Sequence, residues 1–293
     1  MPCFACDRRY WESTDLTTWT KQRALHVMDK YIGEFQDTWA PEWIWDKASS
    51  EYIVFWTTRW LPGKGAGKFD KACTNTNLAR FAQWHTRTKD WQTFAEPTLF
   101  IDMHCDTAAY SPMALGDGGY DTDVWDSTEV DGLYRAYFKS MQAPALSVGK
   151  APWNDANIQP WSGVHVVTSP DLKTWSLPSP RPGGMAPEFL GMWGAGGPEI
   201  LLVNKTTLYL FFDCSFQPFD KQKWPKPPYG VATAKYPDGF KDPSMRTWRT
   251  IPGSCTGNNT KNVDFPVGAT QGSFICVNEQ QYQAILAKWP AEA

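Results

Sequence analysis

The sequence predicts an all-β fold in which short antiparallel sheets repeat around a common axis. Three observations predict it: an aromatic-rich composition with many turn formers, a turn motif that returns at intervals of 73 to 81 residues, and a comparable apolar hairpin within each interval. An aromatic share of 15%, with 17 Trp, 23 Pro and 22 Gly, suits many short strands and opposes a helical bundle. A chain of 293 residues is within the range of one all-β domain, and residues 1–293 are read as one.

The strongest strand signal runs from Asp37 to Arg59. Trp43, Ile44 and Trp45 are aromatic or β-branched, Lys47 to Ser50 have turn character, and Tyr52 to Thr58 form an almost unbroken apolar run. A hairpin buried on both faces is the simplest account. Pro41 lacks an N–H and is expected at the first residue of a strand. Trp39 and Glu42 then sit at the mouth of the sheet, where aromatic and acidic groups can meet a ligand. The competing account makes Trp39 core and Glu42 a turn cap.

The turn motif is Thr14-Asp15-Leu16-Thr17-Thr18-Trp19, repeated at Lys89 to Phe94 and Pro170 to Trp175, with a looser copy ending at Trp248. In each, Asp turns the chain and an aromatic follows to cover the outer edge of the sheet. Inner strands recur as Glu51–Thr58, Gly132–Lys139, Thr207–Asp213 and, more faintly, Gln281–Leu286. Each of the first three is followed by a further strand, Leu78–Trp84, Gly163–Thr168 and Tyr229–Ala234. Four antiparallel strands per unit describe a propeller blade. Counting units gives a five-bladed β-propeller of four-stranded antiparallel blades whose first blade is incomplete, so that Met1 enters partway through it. The last unit, Val263 to Leu286, contributes two strands, although Gln280 to Lys288 also reads as a short helix. Gly-, Pro- and Asp-rich connections at 61–77, 101–119, 141–160 and 216–228 are expected to build a rim.

Composition also narrows the partners. The net charge is −3 with scattered Lys and Arg, which opposes nucleic-acid binding, and the excess of Trp and Tyr suits stacking on sugars. No apolar run approaches the roughly 18 residues of a membrane span. The first residues carry no apolar segment of the kind found in signal peptides. Two sequons, at Asn204 and Asn258, are weak evidence for secretion, and the compartment stays open. The chain is expected to be a monomer without a metal. Its 7 Cys are odd in number, Cys3 and Cys6 have no second such pair, and the 4 His lack the His-x-x-x-His spacing. His104-Cys105-Asp106 reads as structural or rim decoration.

Several segments in order carry a family resemblance: Trp39-Ala-Pro-Glu42 before Tyr52–Trp56, then Thr86–Phe94, then Tyr120-Asp-Thr-Asp-Val124 before Tyr134–Lys139, then Gly197-Pro-Glu-Ile-Leu201 before Leu208–Asp213. Together they resemble glycoside hydrolase family 43, over about residues 3–286. The resemblance implies a five-bladed propeller acting on arabinose- or xylose-containing oligo- or polysaccharide, as arabinofuranosidases, arabinanases and xylosidases do. It implies inversion by a general acid and a general base whose carboxyl groups stand roughly 6.5 to 9.5 Å apart, with a third carboxylate tuning the acid.

On this resemblance Asp121 matches the tuning aspartate, and Asp123 is its shifted alternative; strand alternation aims both to the same side. The acid position falls on Gly196, which has no carboxyl group. Glu188 or Glu199 is then a displaced acid, although strict alternation turns Glu199 away from Gly196. The general base has no counterpart, since Asp7 and Asp15 lie in the outer part of the first blade. The fifth-blade Arg-His-Gly-Ser falls on Thr270-Gln271-Gly272-Ser273, so the His that often sits beside a central Ca ion is Gln271. Trp39, Trp193 and Trp125 remain as stacking surfaces, with Glu42 and Asp123 beside the substrate. A propeller that binds glycan without hydrolysis is the alternative, and a protein-interaction propeller a third.

Overall fold

The computed structural model describes residues 8–61, 80–101, 120–139, 164–176, 195–214, 229–242, 247–251 and 273–290. Its strands form four antiparallel sheets. β1 (Arg8–Tyr10) pairs with β2 (Arg23–Leu25). The second sheet runs β3 (Phe35–Asp46), β4 (Glu51–Trp60), β5 (Arg80–Thr88) and β6 (Thr98–Ile101) in sequence order. The third holds β7 (Tyr120–Ser127), β8 (Leu133–Lys139) and β9 (Val164–Ser169), with a short helix α1 (Thr128–Asp131) between the first two. The fourth runs β10 (Ala195–Val203), β11 (Thr207–Cys214), β12 (Tyr229–Lys235) and β13 (Arg249–Thr250). Each sheet is a meander, so every strand pairs with its chain neighbour.

Period-2 alternation gives each middle strand two apolar faces, and successive sheets share cores. On β4, Trp56 and Trp60 join Leu25, Val27, Met28 and Tyr31, while Ile53 and Phe55 join Val124, Tyr134, Ala136, Phe138 and Val167 of the third sheet. On β8, Tyr137 turns the other way and packs with Ile200, Leu208, Leu210 and Phe212 of the fourth. The outer face of the fourth sheet, Phe211 and Val231, is met by Phe274, whose ring stacks on Phe211 at 3.9 Å. Four layers therefore stack in chain order, and the segment after residue 272 covers the last of them.

The repeated turns share one hydrogen-bond plan. Asp15, Asp90 and Asp171 each accept two backbone N–H bonds, from Thr17 and Thr18, from Gln92 and Thr93, and from Lys173 and Thr174, at 2.6 to 2.8 Å. Those donors hold all three carboxyl groups below their ordinary range. The residue after each Asp adopts positive φ, +64° at Leu16, +58° at Trp91 and +57° at Leu172. The following aromatics differ: Trp175 packs against the second core, whereas Trp19 is 45% exposed and meets Trp11 edge-on.

Three expectations are corrected. The outer half of β3 is not buried on both faces: Trp43 and Trp45 are 55% and 38% exposed, and their rings meet Tyr52 and, for Trp43, Trp91. Pro41 lies inside β3, at a register shift where no ladder N–H is needed. Gln281–Leu286 is not a strand but part of helix α2 (Glu279–Lys288). Asn278 and Gln281 form a reciprocal capping box, and the Gln, Ala, Leu and Lys that follow favour a helix over a ladder. The Cys3–Cys6 pair, His104–Asp106 and most of the Gly- and Pro-rich connections lie outside the described residues.

Arg135 ties the third sheet to the fourth. It donates to the Phe240 carbonyl at 2.7 Å and to Ser127 Oγ at 2.6 Å, and makes a two-pronged bond to Asp131. It is 3% exposed. Arg135→Met leaves the Phe240 carbonyl without this donor and removes the pair with Asp131, and we expect a loss of about 1 to 3 kcal/mol in urea unfolding, with an unchanged m-value.

Candidate functional site

The site is made by one extra residue in each of three inner strands. On β3 the pairing runs from Trp39↔Thr57 to Glu42↔Phe55, on β7 from Tyr120↔Lys139 to Asp123↔Tyr137, and on β10 from Gly196↔Asp213 to Glu199↔Phe211. Each time, three steps on the inner strand answer two on its partner, which is a β-bulge. The bulges face equivalent buried rings, Trp56, Phe138 and Phe212, all at or below 1% exposure. Ala40 and Gly197 open their bulges at φ +48° and +50°, the left-handed conformation such an insertion uses.

The bulge decides where the carboxylates point. Without it, positions three apart face opposite sides; with it, Glu42 falls on the side of Trp39 and Glu199 on the side of Gly196. The expectation that Glu199 turns away from Gly196 is therefore reversed. The same slip between Tyr120 and Asp123 breaks the simple alternation that linked Asp121 to Asp123. β3 lies beside β7, and β7 beside β10, so Glu42, Asp123 and Glu199 come from three neighbouring inner strands.

Each carboxyl group lies within electrostatic reach of at least one other. Glu199 is raised well above the usual carboxylate range, first by burial and then by the charges of Asp123 and Glu42. Asp123 is raised as well, by burial and by Glu42, against the opposing N–H bond from Ile200 at 2.7 Å. Glu42 is raised by burial, and the Ser273 hydroxyl donating to its Oε1 at 2.7 Å pulls it back. The Phe274 N–H and the Ser273 hydroxyl counter the rise at Glu199. A segment near the C-terminus thus reaches Glu42 of the second sheet and Phe211 of the fourth. Like charges in a partly desolvated space resist joint ionisation, so the group holds at least one proton at neutral pH.

Other expected residues fall differently. Trp39 is half-buried on the Glu42 side of β3, one bulge away. Trp125 packs against Phe240 at the edge of the core between the third and fourth sheets, which accounts for it without a ligand. Asp121 lies in β7 but its side chain is outside the described residues, as are Glu188, Trp193 and Gln271. Among the described residues, no three Asp, Glu, His or Cys side chains are grouped to hold a metal ion. The sequence reading missed Ser273 as a partner of the acids and the shared pattern behind them. That pattern, Trp-Ala-Pro-Glu, Tyr-Asp-Thr-Asp and Gly-Gly-Pro-Glu, places an acid three residues after the start of each bulge, with Pro inside two of them.

Residues 8–140 match a family described as "Probable glycosyl hydrolase domain", in agreement with the resemblance to glycoside hydrolase family 43. No curated protein matches the chain. Among solved structures, a family 117 glycoside hydrolase produced by the marine bacterium Zobellia galactanivorans shares 15% identity at a TM-score of 0.43, covering 73% of this chain and 54% of that one. An α-L-arabinofuranosidase from Lactobacillus brevis shares 12% at 0.44, covering 78% and 64%. An α-L-arabinofuranosidase from Fusarium graminearum shares 11% at 0.46, covering 90% and 56%. The chain thus spans between about half and two thirds of their lengths.

Raised carboxyl pKa values make folding favour the protonated forms. Their contribution is full below the unfolded carboxylate range, about 4, and is lost as pH rises through the higher folded values. Glu199→Gln and Asp123→Asn should therefore raise Tm at pH 8 and flatten its decline between pH 5 and 8, as measured by thermal unfolding.

Proposed function

We propose that the chain is a glycosidase-type propeller, five-bladed with an incomplete first blade, that hydrolyses arabinose- or xylose-containing polysaccharide with a relocated set of carboxylates. The observation that carries this reading is the convergence of Glu42, Asp123 and Glu199 on one acidic site beside Trp39. The glycosyl hydrolase match over residues 8–140 supports it.

Hydrolysis of a glycoside needs one carboxyl group that is protonated at working pH and one that is not. Glu199, raised by burial and by the charges of both Asp123 and Glu42, fits the acid that protonates the leaving oxygen. Glu42, eased by the Ser273 hydroxyl, fits the base that takes a proton from water. Asp123 lies in electrostatic reach of both, and its charge keeps the Glu199 proton in place. The acid lost at Gly196 is regained three residues later on the same side, because the bulge cancels the half-turn of alternation.

Inverting pairs leave roughly 6.5 to 9.5 Å between carboxyl groups, room for the attacking water, and the reading requires Glu42 and Glu199 to stand at that separation. Trp39 supplies an aromatic face for that sugar, and Asp121 and Trp193 belong with it on the same reading.

The test is hydrolysis of arabinan, arabinoxylan and xylan oligosaccharides, with the anomer of the first product read by NMR. We expect release of the inverted sugar, and Glu199→Gln to lower kcat by about 10² to 10⁴ with binding retained. Oligosaccharide binding without turnover by the unaltered chain would overturn the hydrolytic reading and leave a glycan-binding propeller. Absence of both would overturn the carbohydrate assignment.

A further inference from the structure

Glu42 is held by a part of the chain that its own sheet does not contain. Among the described residues its carboxyl group accepts one hydrogen bond, from the Ser273 hydroxyl to Oε1 at 2.7 Å, across 231 residues of sequence. Asp46, further along β3, is held locally instead: it takes the Ala48 N–H, the Ser49 hydroxyl and Arg87 of β5.

Ser273 in turn owes its place to its neighbour. The Phe274 ring stacks on Phe211 at 3.9 Å with the planes 20° apart, and packs against the Phe211 and Val231 cluster that Leu201, Tyr209 and Ile251 also line. Among the described residues that follow, Ile275 and Val277 are 63% and 37% exposed, Cys276 is exposed, and helix α2 buries none of its residues. One ring therefore anchors the segment on the fourth sheet, and one hydroxyl reaches from it to the second.

A donor on one carboxylate oxygen fixes the plane of the group and favours its ionised form. With the serine proton on Oε1, Oε2 is the oxygen left to take a proton from water. The groups facing Glu42 from neighbouring strands press the other way: Asp123 of β7 and Glu199 of β10 are both acids within electrostatic reach of it. On β4 its register partner is Phe55, and the acid of that strand, Glu51, pairs with Arg87 at the hairpin end.

We propose that Ser273 is a positioning residue for Glu42, set in place by Phe274, so that residues 273–274 orient the base from outside its own sheet. This rests on the assignment of Glu42 as the base. During turnover a water proton passes to Glu42 Oε2 while Ser273 stays on Oε1, and no covalent bond of Ser273 forms or breaks. Because hydroxyl and anchor sit on adjacent residues, removing the Phe274 ring acts on Glu42 as removing the hydroxyl does, although the ring packs on another sheet.

The experiment follows the Glu42 carboxyl by 13C NMR titration of the unliganded protein in the unaltered chain, Ser273→Ala, Ser273→Thr and Phe274→Ala, alongside pH–rate profiles on arabinan and xylan oligosaccharides. Ser273→Ala should move the Glu42 midpoint upward, carry the acidic limb of the kcat/KM profile with it, and lower kcat by about ten- to a hundredfold with KM little changed. Ser273→Thr keeps the hydroxyl and should restore all three. Phe274→Ala should reproduce the Glu42 shift of Ser273→Ala; Ser273 is exposed, so its substitution keeps the test decisive even where Phe274→Ala does not fold. A Glu42 midpoint unmoved in Ser273→Ala would overturn the positioning role, whether or not hydrolysis is seen. A midpoint unmoved in folded Phe274→Ala would overturn the anchor. A shifted midpoint in a chain that hydrolyses nothing would keep the hold on Glu42 and remove the glycosidase reading.

Discussion

One inserted residue at a matching place in each of three inner strands is the constraint on which the rest of the site depends. β-Sheets assign side chains to faces by parity, and a bulge is the one local device that changes parity without ending the strand. In β3, β7 and β10 the insertion falls opposite Trp56, Phe138 and Phe212, three buried rings at matching places in their sheets. The bulges shift Glu42, Asp123 and Glu199 out of the simple alternation of their strands. Ala40 accepts a left-handed conformation that costs an alanine about 1 kcal/mol, in the element that carries Glu42.

Bringing three acids together works against stability. Burial pushes all three toward their neutral forms and repulsion adds to it at Asp123 and Glu199, while the groups that stabilise the charged forms are few: the Ile200 and Val124 N–H groups at Asp123, the Phe274 N–H at Glu199 and the Ser273 hydroxyl at Glu42. The rest of the chain supplies the compensation through cores shared by successive sheets and through the Asp turns that satisfy backbone donors at three of the sheet edges. On the proposed reading this cost is the price of function, since a desolvated carboxyl that keeps its proton near neutral pH is the group an acid-catalysed bond cleavage requires.

Much of the fold was legible in the residues. The turn motif announced its own hydrogen-bond plan because Asp at that spacing has only nearby N–H groups to meet, and the middle strands announced themselves through unbroken apolar runs such as Tyr52 to Thr58. Glu42 and Asp123 were legible as candidates from the segments that hold them. The place of Glu199 was not, because parity counted along a sequence assumes a regular ladder. Pro41 and Pro198, inside strands, were the available signal that the ladder breaks there. Ser273 was hidden for a different reason: its contact with Glu42 spans 231 residues and depends on Phe274 finding Phe211, which no local pattern encodes. The strand expected at Gln281–Leu286 gave way to a helix because the capping pair Asn278 and Gln281 outweighs a weak apolar alternation.

The claim beneath all of this is that Glu42 and Glu199 stand within electrostatic reach of each other, and a double-mutant cycle measures that directly. Unfolding free energies at pH 8 for the unaltered chain, Glu42→Gln, Glu199→Gln and the double variant give the coupling between the two sites. Mutual repulsion predicts that each single change relieves the other acid, so the double variant gains less than the sum of the two, by about 1 kcal/mol. Additive gains, within the 0.3–0.5 kcal/mol typical of distant sites, would mean that the two acids never meet.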